Sequence, residues 1–215
     1  MNSKYPVLKA ILIGLIPVVC ASVAVAASQI VGLNEQQTMA LQTVLFGIAI
    51  LIGIPLVRQL KVSMREFGFR TAESGSWKNV LYLLPVIVAE VLTFLADVSL
   101  NLNFTYLLLI LIFTTLVGIC EELYYRGILL KVLAKLGSHK AVLTSAIIFG
   151  ILHLPNALSG NAPTYVALQI IFAFVFGFAA AGIVLHTKSL YPVILWHFAH
   201  DFLSIALGDG FFENS

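Results

Sequence analysis

The stretch VGICEELYYRGILL (117–130) places two adjacent glutamates and an arginine inside a long apolar run. Moving an ionised carboxylate from water into hydrocarbon is costly, so such groups persist where they are paired or face a wet cavity. Glu122 and Arg126 are four residues apart and can form an ion pair along one helix face. Glu121 points about 100° away from Glu122 on a helix, which leaves its carboxylate free to serve another site.

Two later segments carry further groups of the kind that catalyse hydrolysis. Phe149 and His153 are i, i+4 neighbours, and so are His197 and Asp201. A carboxylate and imidazoles around a wet pocket can activate water for attack on a carbonyl group and stabilise the resulting oxyanion. The same residue types can instead hold Zn²⁺ with one position open to water. The sequence has no HExxH pattern, so any metal ligands would come from separate helices.

The composition predicts that these groups lie within a membrane. Of the 215 residues, 60% are hydrophobic and only 10% are charged, and the mean hydropathy is +1.01. A soluble domain carries about 25% charged residues, so the composition excludes an ordinary soluble protein. We therefore predict an all-α, polytopic transmembrane helical bundle that forms a single membrane domain over residues 1–215.

The apolar runs predict about seven spans, since a transmembrane helix needs roughly 20 apolar residues. The predicted spans are about 6–27, 38–58, 78–97, 104–132, 139–155, 163–186 and 189–208. We interpret the first run as an uncleaved span rather than a signal peptide. The polar segment between the second and third spans is expected to contain a short interfacial helix near residues 60–75.

The lysines and arginines mark one side of this bundle. The connections 28–37, 98–103, 156–162 and 209–215 contain none, whereas the alternate connections contain or adjoin them. By the positive-inside rule, the N-terminus is expected to be cytoplasmic. We expect a multi-pass protein of a prokaryotic plasma membrane whose partner is the lipid bilayer, with no nucleic-acid partner.

Ionisable groups from separate spans are expected at one depth. Glu121 lies sixteen residues before Gly137, and His153 lies sixteen residues after it. At about 1.5 Å per residue, both would lie roughly 24 Å from a turn at Gly137. His197 in the last span and Glu90 in the third come to a similar depth. Convergence of this kind is what a catalytic or ion-binding centre needs.

Together, the three patterns resemble those of the CPBP family, the CAAX proteases and bacteriocin-processing enzymes, also called the Abi family. The family pattern is EExxxR, then FxxxH, then HxxxN or HxxxD. It appears here as EELYYR (121–126), FGILH (149–153) and HFAHD (197–201), within a core of about residues 100–208. The resemblance implies an intramembrane endopeptidase that cuts a membrane-associated peptide or protein substrate of the CAAX type or the leader or bacteriocin type.

The resemblance also implies a role for each matching residue. The residues expected to be catalytic are Glu121, His153, His197 and Asp201. The residues expected to support the site are Glu122, Arg126 and Phe149. Glu121 would activate water with His153 as its partner, and the residues at positions 197 and 201 would hold the oxyanion. Whether a cofactor is needed stays open: zinc, if present, would take Glu121, His153 and His197, whereas a glutamate mechanism requires none.

Position 201 departs from the prenyl-protein members of the family, which typically have Asn there. An ionised Asp cannot donate a hydrogen bond to an oxyanion. Asp201 must therefore be protonated, orient His197 or bind a metal, and we favour the orienting role.

Two other classes of function compete with proteolysis. A non-proteolytic scaffold or immunity protein of the same fold would keep its biological effect after Glu121→Ala. A proton-coupled transporter could also use intramembrane carboxylates and histidines, but it would favour inverted repeats, and no convincing repeat is present. Glu90 and His200 match no family motif position and are assigned no role.

Overall fold

The fold is helical throughout the part of the chain that can be described. The computed structural model describes residues 4–79, 81, 88, 104–159 and 161–212. Within these residues there is no β-strand, which confirms the predicted all-α class. The α-helices are α1 (Pro6–Val31), α2 (Glu35–Gln59), α3 (Met64–Phe67), α4 (Phe104–Glu122), α5 (Leu130–Leu133), α6 (Ser138–Ile151), α7 (Pro163–Thr187) and α8 (Tyr191–Phe212).

Five described segments are long and apolar enough to cross a membrane. They are Pro6–Val31, Glu35–Gln59, Phe104–Leu136, Ser138–Ala157 and Pro163–Thr187. The protein is therefore a polytopic membrane protein, as its composition predicts. The last predicted span corresponds to α8, which is long enough but carries two histidines and two aspartates that lower its hydropathy. Of the predicted third span, only residues 78, 79, 81 and 88 are described, and Glu90 lies outside the described residues.

The first two helices form a hairpin whose ends are set by local chemistry. Proline at the first helical position suits the start of α1, because its missing N–H would have no partner there. The helix ends at Gly32, which takes the left-handed conformation with φ 74°. Asn34 then starts α2 with a capping box, in which its side chain accepts from the Gln37 amide at 2.9 Å.

The helix that carries the two glutamates changes its geometry directly after them. The chain continues from α4 into a π-helix, Leu123–Leu129, and then into α5 and a 3-10 turn, Ala134–Leu136. The turn follows at Gly137, where φ is 84°, so the predicted hairpin turn is present. All seven residues of the π-helix are buried. Such π-helical insertions are rare and are frequent at functional sites.

Two consecutive tyrosines in the π-helix hold it against the first hairpin. Tyr124 donates from its hydroxyl to the Ala49 carbonyl oxygen in α2 at 2.8 Å. Tyr125 donates to the Gly14 carbonyl oxygen in α1 at 2.9 Å. Both rings are almost fully buried, and a buried hydroxyl must find such a partner. The π-helix is thereby fixed between α1 and α2.

Two glycines allow the helices around the site to touch at their backbones. A Cβ on Gly118 of α4 would lie 3.2 Å from the Phe198 nitrogen and 3.3 Å from the Ile194 oxygen in α8. A Cβ on Gly150 of α6 would lie 2.9 Å from the Ile170 oxygen in α7. These contacts bring α8 against the helix of the glutamates, and α7 against the helix of the second motif.

The polar segment after α2 packs across the ends of the later helices. Its helix α3 is short, as predicted near residues 60–75, and begins with a capping box between Ser63 and Glu66. Hydrogen bonds from Ser63 lower the pKa of Glu66 below its ordinary value. The Lys131 ammonium donates to the Glu66 carbonyl oxygen at 2.7 Å, and the Leu190 amide donates to the Gly68 carbonyl oxygen at 2.9 Å. This segment therefore joins α5 to the start of α8.

Candidate active site

One carboxylate oxygen of Glu122 connects the first motif to the third. Arg126 donates from Nη1 to Glu122 Oε1 at 2.9 Å, so the ion pair expected from the i, i+4 spacing is present. The same oxygen lies 2.8 Å from His197 Nδ1. Because a carboxylate only accepts, this imidazole nitrogen carries a proton and donates to Glu122. The side chains of Glu122 and Arg126 are 0% and 1% exposed, so the whole contact is buried.

The Arg126 guanidinium lies on the aromatic ring of the second motif. Its central carbon is 4.1 Å from the centroid of Phe149 and 5.5 Å from that of Phe176. In the described part of the chain, its Nε and Nη2 atoms have no hydrogen-bond partner. A ring face attracts such a cation electrostatically, so Phe149 compensates part of the buried charge. Phe149 thus supports the ion pair as well as the histidine of its own motif.

The other nitrogen of His197 faces the remaining two carboxylates. His197 Nε2 lies 3.7 Å from Glu121 Oε2 and 3.5 Å from Asp201 Oδ2. The two adjacent glutamates therefore contact opposite nitrogens of one imidazole, although a helix separates their directions by about 100°. Asp201, which is expected to orient His197, contacts Nε2, whereas Nδ1 makes a short hydrogen bond with Glu122.

His153 lies in the turn directly after α6 and is held by a carbonyl group near the end of that helix. Its Nδ1 lies 2.8 Å from the Phe149 carbonyl oxygen, an acceptor, so Nδ1 carries the proton. In the neutral ring the other nitrogen, Nε2, then has a free lone pair. The ring also packs edge-on against Phe149, with centroids 4.8 Å apart. The structure therefore presents His153 as a proton acceptor.

A cavity of about 560 Å³ brings the four predicted catalytic residues together. Its wall includes Glu121, His153, His197 and Asp201. The remainder of the wall includes seven residues of α1, together with residues of α2, α4, α7, α8 and the turn after α6. A second cavity of about 350 Å³ lies against α7 and α8 and shares three of these four residues, all except Glu121. His200, which was assigned no role, lines both cavities and stacks on Phe172 at 4.6 Å.

The predicted metal ligands do not form a metal site as they stand. Among the residues that the structure describes, no group of three His, Cys, Asp or Glu side chains is placed to hold a metal ion. Glu121, His153 and His197 share a cavity wall, but their side chains do not form such a group of three.

Several cavity residues were not found from the sequence. Tyr125, Asn156 and Gln169 line the larger cavity beside the four motif residues. Asn156 lies three residues after His153, the histidine of the second motif. The contact between Glu122 and His197 also gave no signal, because it depends on how closely α8 crosses α4.

The comparison with known proteins agrees with the motifs. Residues 103–203 match the family model described as type II CAAX prenyl endopeptidase Rce1-like. No curated protein and no solved structure matches the chain. The matched region contains EELYYR, FGILH and HFAHD in order. The resemblance is thus confirmed: residues 103–203 of this chain are similar to the CAAX prenyl endopeptidases of the CPBP family.

Proposed function

We propose that this protein hydrolyses a peptide bond of a membrane-associated substrate, and that Glu121 activates the attacking water. The observation that carries the proposal is the shared cavity of about 560 Å³, whose wall includes Glu121, His153, His197 and Asp201. Convergence of these groups from α4, the turn after α6, and α8 supplies a base, a second proton acceptor and a donor at one place. These groups lie within a membrane domain, so the scissile bond of the substrate must enter that domain to reach them.

In the proposed reaction, Glu121 accepts a proton from water while the hydroxide oxygen bonds to the scissile carbonyl carbon. His153 accepts a hydrogen bond from the same water through Nε2 and so helps to orient it. The proton on Glu121 then passes to the amide nitrogen as the carbon–nitrogen bond breaks. The products are a carboxylic acid and an amine, and the glutamate returns to its ionised form.

The oxyanion that forms during the attack is proposed to be stabilised by His197. The Nδ1 proton of His197 is engaged by Glu122, so only Nε2 can donate to the oxyanion. For Nε2 to donate, the ring must carry a second proton on that nitrogen. The carboxylates of Glu121 and Asp201, 3.7 Å and 3.5 Å from Nε2, favour that protonated ring. Asp201, as an acceptor, would support the donor rather than contact the oxyanion itself.

A cleavage assay tests the proposal. Purified protein in detergent is given prenylated CAAX peptides and unmodified hydrophobic peptides, and the products are read by mass spectrometry. We expect cleavage by the native protein and none by Glu121→Gln, while the exposed Glu35→Gln acts as the matched control and cleaves normally. The product ends would distinguish a CAAX-type substrate from a leader or bacteriocin type. Equal cleavage by the Glu121→Gln protein would contradict the role of Glu121.

The same assay separates proteolysis from the non-catalytic alternative. A scaffold or immunity protein would give no product with any peptide and would keep its biological effect in cells that carry Glu121→Gln. The proposed function would therefore be overturned if the folded native protein cleaved no peptide and cells that carry Glu121→Gln kept the biological effect.

A further inference from the structure

A pair of carboxamide side chains lies in the cavity wall beside His153, and the chemistry above does not use it. Asn156 donates from Nδ2 to Gln169 Oε1 at 2.9 Å. The backbone amide of Asn156 donates to the His153 carbonyl oxygen at 3.0 Å, so the pair begins one tight turn after the histidine. Both residues line the larger cavity, and Gln169 also lines the smaller one. The pair thus lies where the two cavities meet.

The pair is fixed before any ligand arrives. The Asn156 carbonyl oxygen accepts a hydrogen bond from the Asn161 side chain at 3.0 Å, which ties the turn to the following loop. On the other side, α6 and α7 approach at backbone distance where Gly150 faces the Ile170 oxygen. Gln169 immediately precedes this contact in the chain. Rigid support of this kind lowers the entropy cost of binding.

The hydrogen bond between the two carboxamides leaves one carbonyl oxygen and one NH2 group wholly unengaged. Asn156 keeps its Oδ1 acceptor, and Gln169 keeps its Nε2 donor. Within the described residues, neither of these atoms makes another hydrogen bond. If the two amides exchange roles, the pair still presents one unengaged oxygen and one unengaged NH2 group. This complement matches a peptide group, which offers one N–H and one C=O.

A peptide in a membrane-embedded cavity needs such a partner. Each unsatisfied backbone amide in hydrocarbon costs several kcal/mol. Much of the larger cavity is apolar, with α1 contributing residues such as Pro17, Val18 and Val25. A substrate chain held near Glu121 therefore requires polar groups at defined places in the wall.

We propose that the Asn156–Gln169 pair binds the substrate main chain next to the scissile bond, as the chain passes between the two cavities. The inference rests on the proposed function and adds a binding site for the peptide backbone. The site is independent of side-chain sequence, because it recognises the amide group that every substrate residue has.

Binding is measured in the Glu121→Gln background, so that the test does not depend on turnover. The probe is a fluorescent peptide that ends in a farnesylated CAAX sequence, together with its unprenylated form. We expect Asn156→Leu and Gln169→Met each to raise the dissociation constant of the probe that binds by about 3- to 10-fold, the value of one hydrogen bond. Gln36→Met, at an exposed glutamine near the start of α2 and outside both cavity walls, is the matched control and should bind normally.

A series of probes, each N-methylated at one peptide bond, separates a contact from a structural effect. One position should weaken binding to the Glu121→Gln protein and cause no additional loss when Asn156→Leu is also present. Additive losses at every position, unchanged binding by both variants, or no binding of either probe would overturn the proposal. The proposed function is judged separately, by cleavage with the native protein, so the two can fail independently.

Discussion

The Glu122 carboxylate offers the sharpest test of how the site is built. Its Oε1 atom contacts both Arg126 Nη1 at 2.9 Å and His197 Nδ1 at 2.8 Å. Glu122→Gln keeps the shape and one oxygen acceptor while it removes the negative charge. The variant therefore weakens both contacts without emptying the space between the helices.

The magnitude follows from the two hydrogen bonds. A hydrogen bond to a charged group contributes about 1.5–3 kcal/mol and a neutral one about 0.5–1.5, so each contact loses about 1–1.5 kcal/mol. The free energy of unfolding should fall by about 2–3 kcal/mol, and further if the buried Arg126 keeps an unbalanced charge. Removing an oxyanion donor costs about 10²- to 10³-fold in kcat, which sets an upper limit for misplacing His197.

Peptide cleavage and thermal unfolding in detergent measure the two effects. We expect Glu122→Gln to lower kcat with little change in KM, because His197 acts on the transition state. The double variant Glu122→Gln/His197→Ala should be no slower than His197→Ala alone, since Glu122 acts through that ring. Glu35→Gln controls for loss of an exposed carboxylate. Rate losses that multiply in the double variant, or a Glu122→Gln enzyme of normal kcat, would refute the reasoning.

Three further predictions concern packing, metal and orientation. Gly150→Ala should separate α6 from α7 at the Ile170 oxygen and lower the unfolding free energy by about 1–3 kcal/mol, as measured by thermal unfolding. The control is Gly47→Ala, whose added Cβ would have nothing within 4 Å, and it should be neutral or slightly stabilising. Cleavage should be unchanged in excess EDTA; activity lost with the chelator and restored by Zn²⁺ would contradict a glutamate mechanism. In a cysteine-free background on intact cells, a membrane-impermeant maleimide should label Gln36→Cys and not Lys135→Cys; the reverse pattern would invert the expected orientation.

The elements of the fold could be predicted because each follows from a local property of the chain. Hydropathy gave the long helices, and the turn at Gly137 lay where the apolar pattern broke. The ion pair between Glu122 and Arg126 followed from i, i+4 spacing alone. In the same way, equal distances from the Gly137 turn predicted that Glu121 and His153 would meet at one level, and both line the same cavity.

The contacts between helices could not be predicted, because spacing along one helix does not fix where another helix crosses it. Helical geometry separates Glu121 from Glu122 and predicted that they would serve different sites. In the structure, α8 crosses α4 at Gly118, close enough for the His197 ring to reach both carboxylates with its two nitrogens. The π-helix after Glu122 had no recognisable sequence signal either, although it sets the positions of Arg126 and both tyrosines.

The crossing of α4 and α8 also explains which nitrogen of His197 lies beside Asp201. Once Glu122 holds the Nδ1 proton of His197, a second residue is not needed to fix the ring, and Asp201 lies beside Nε2 instead. An asparagine there could donate to an oxyanion, whereas an ionised aspartate can only favour a proton on the histidine. With Asp at position 201, the proposed stabilisation of the oxyanion therefore rests on one charged imidazole, whose protonation depends on the neighbouring carboxylates.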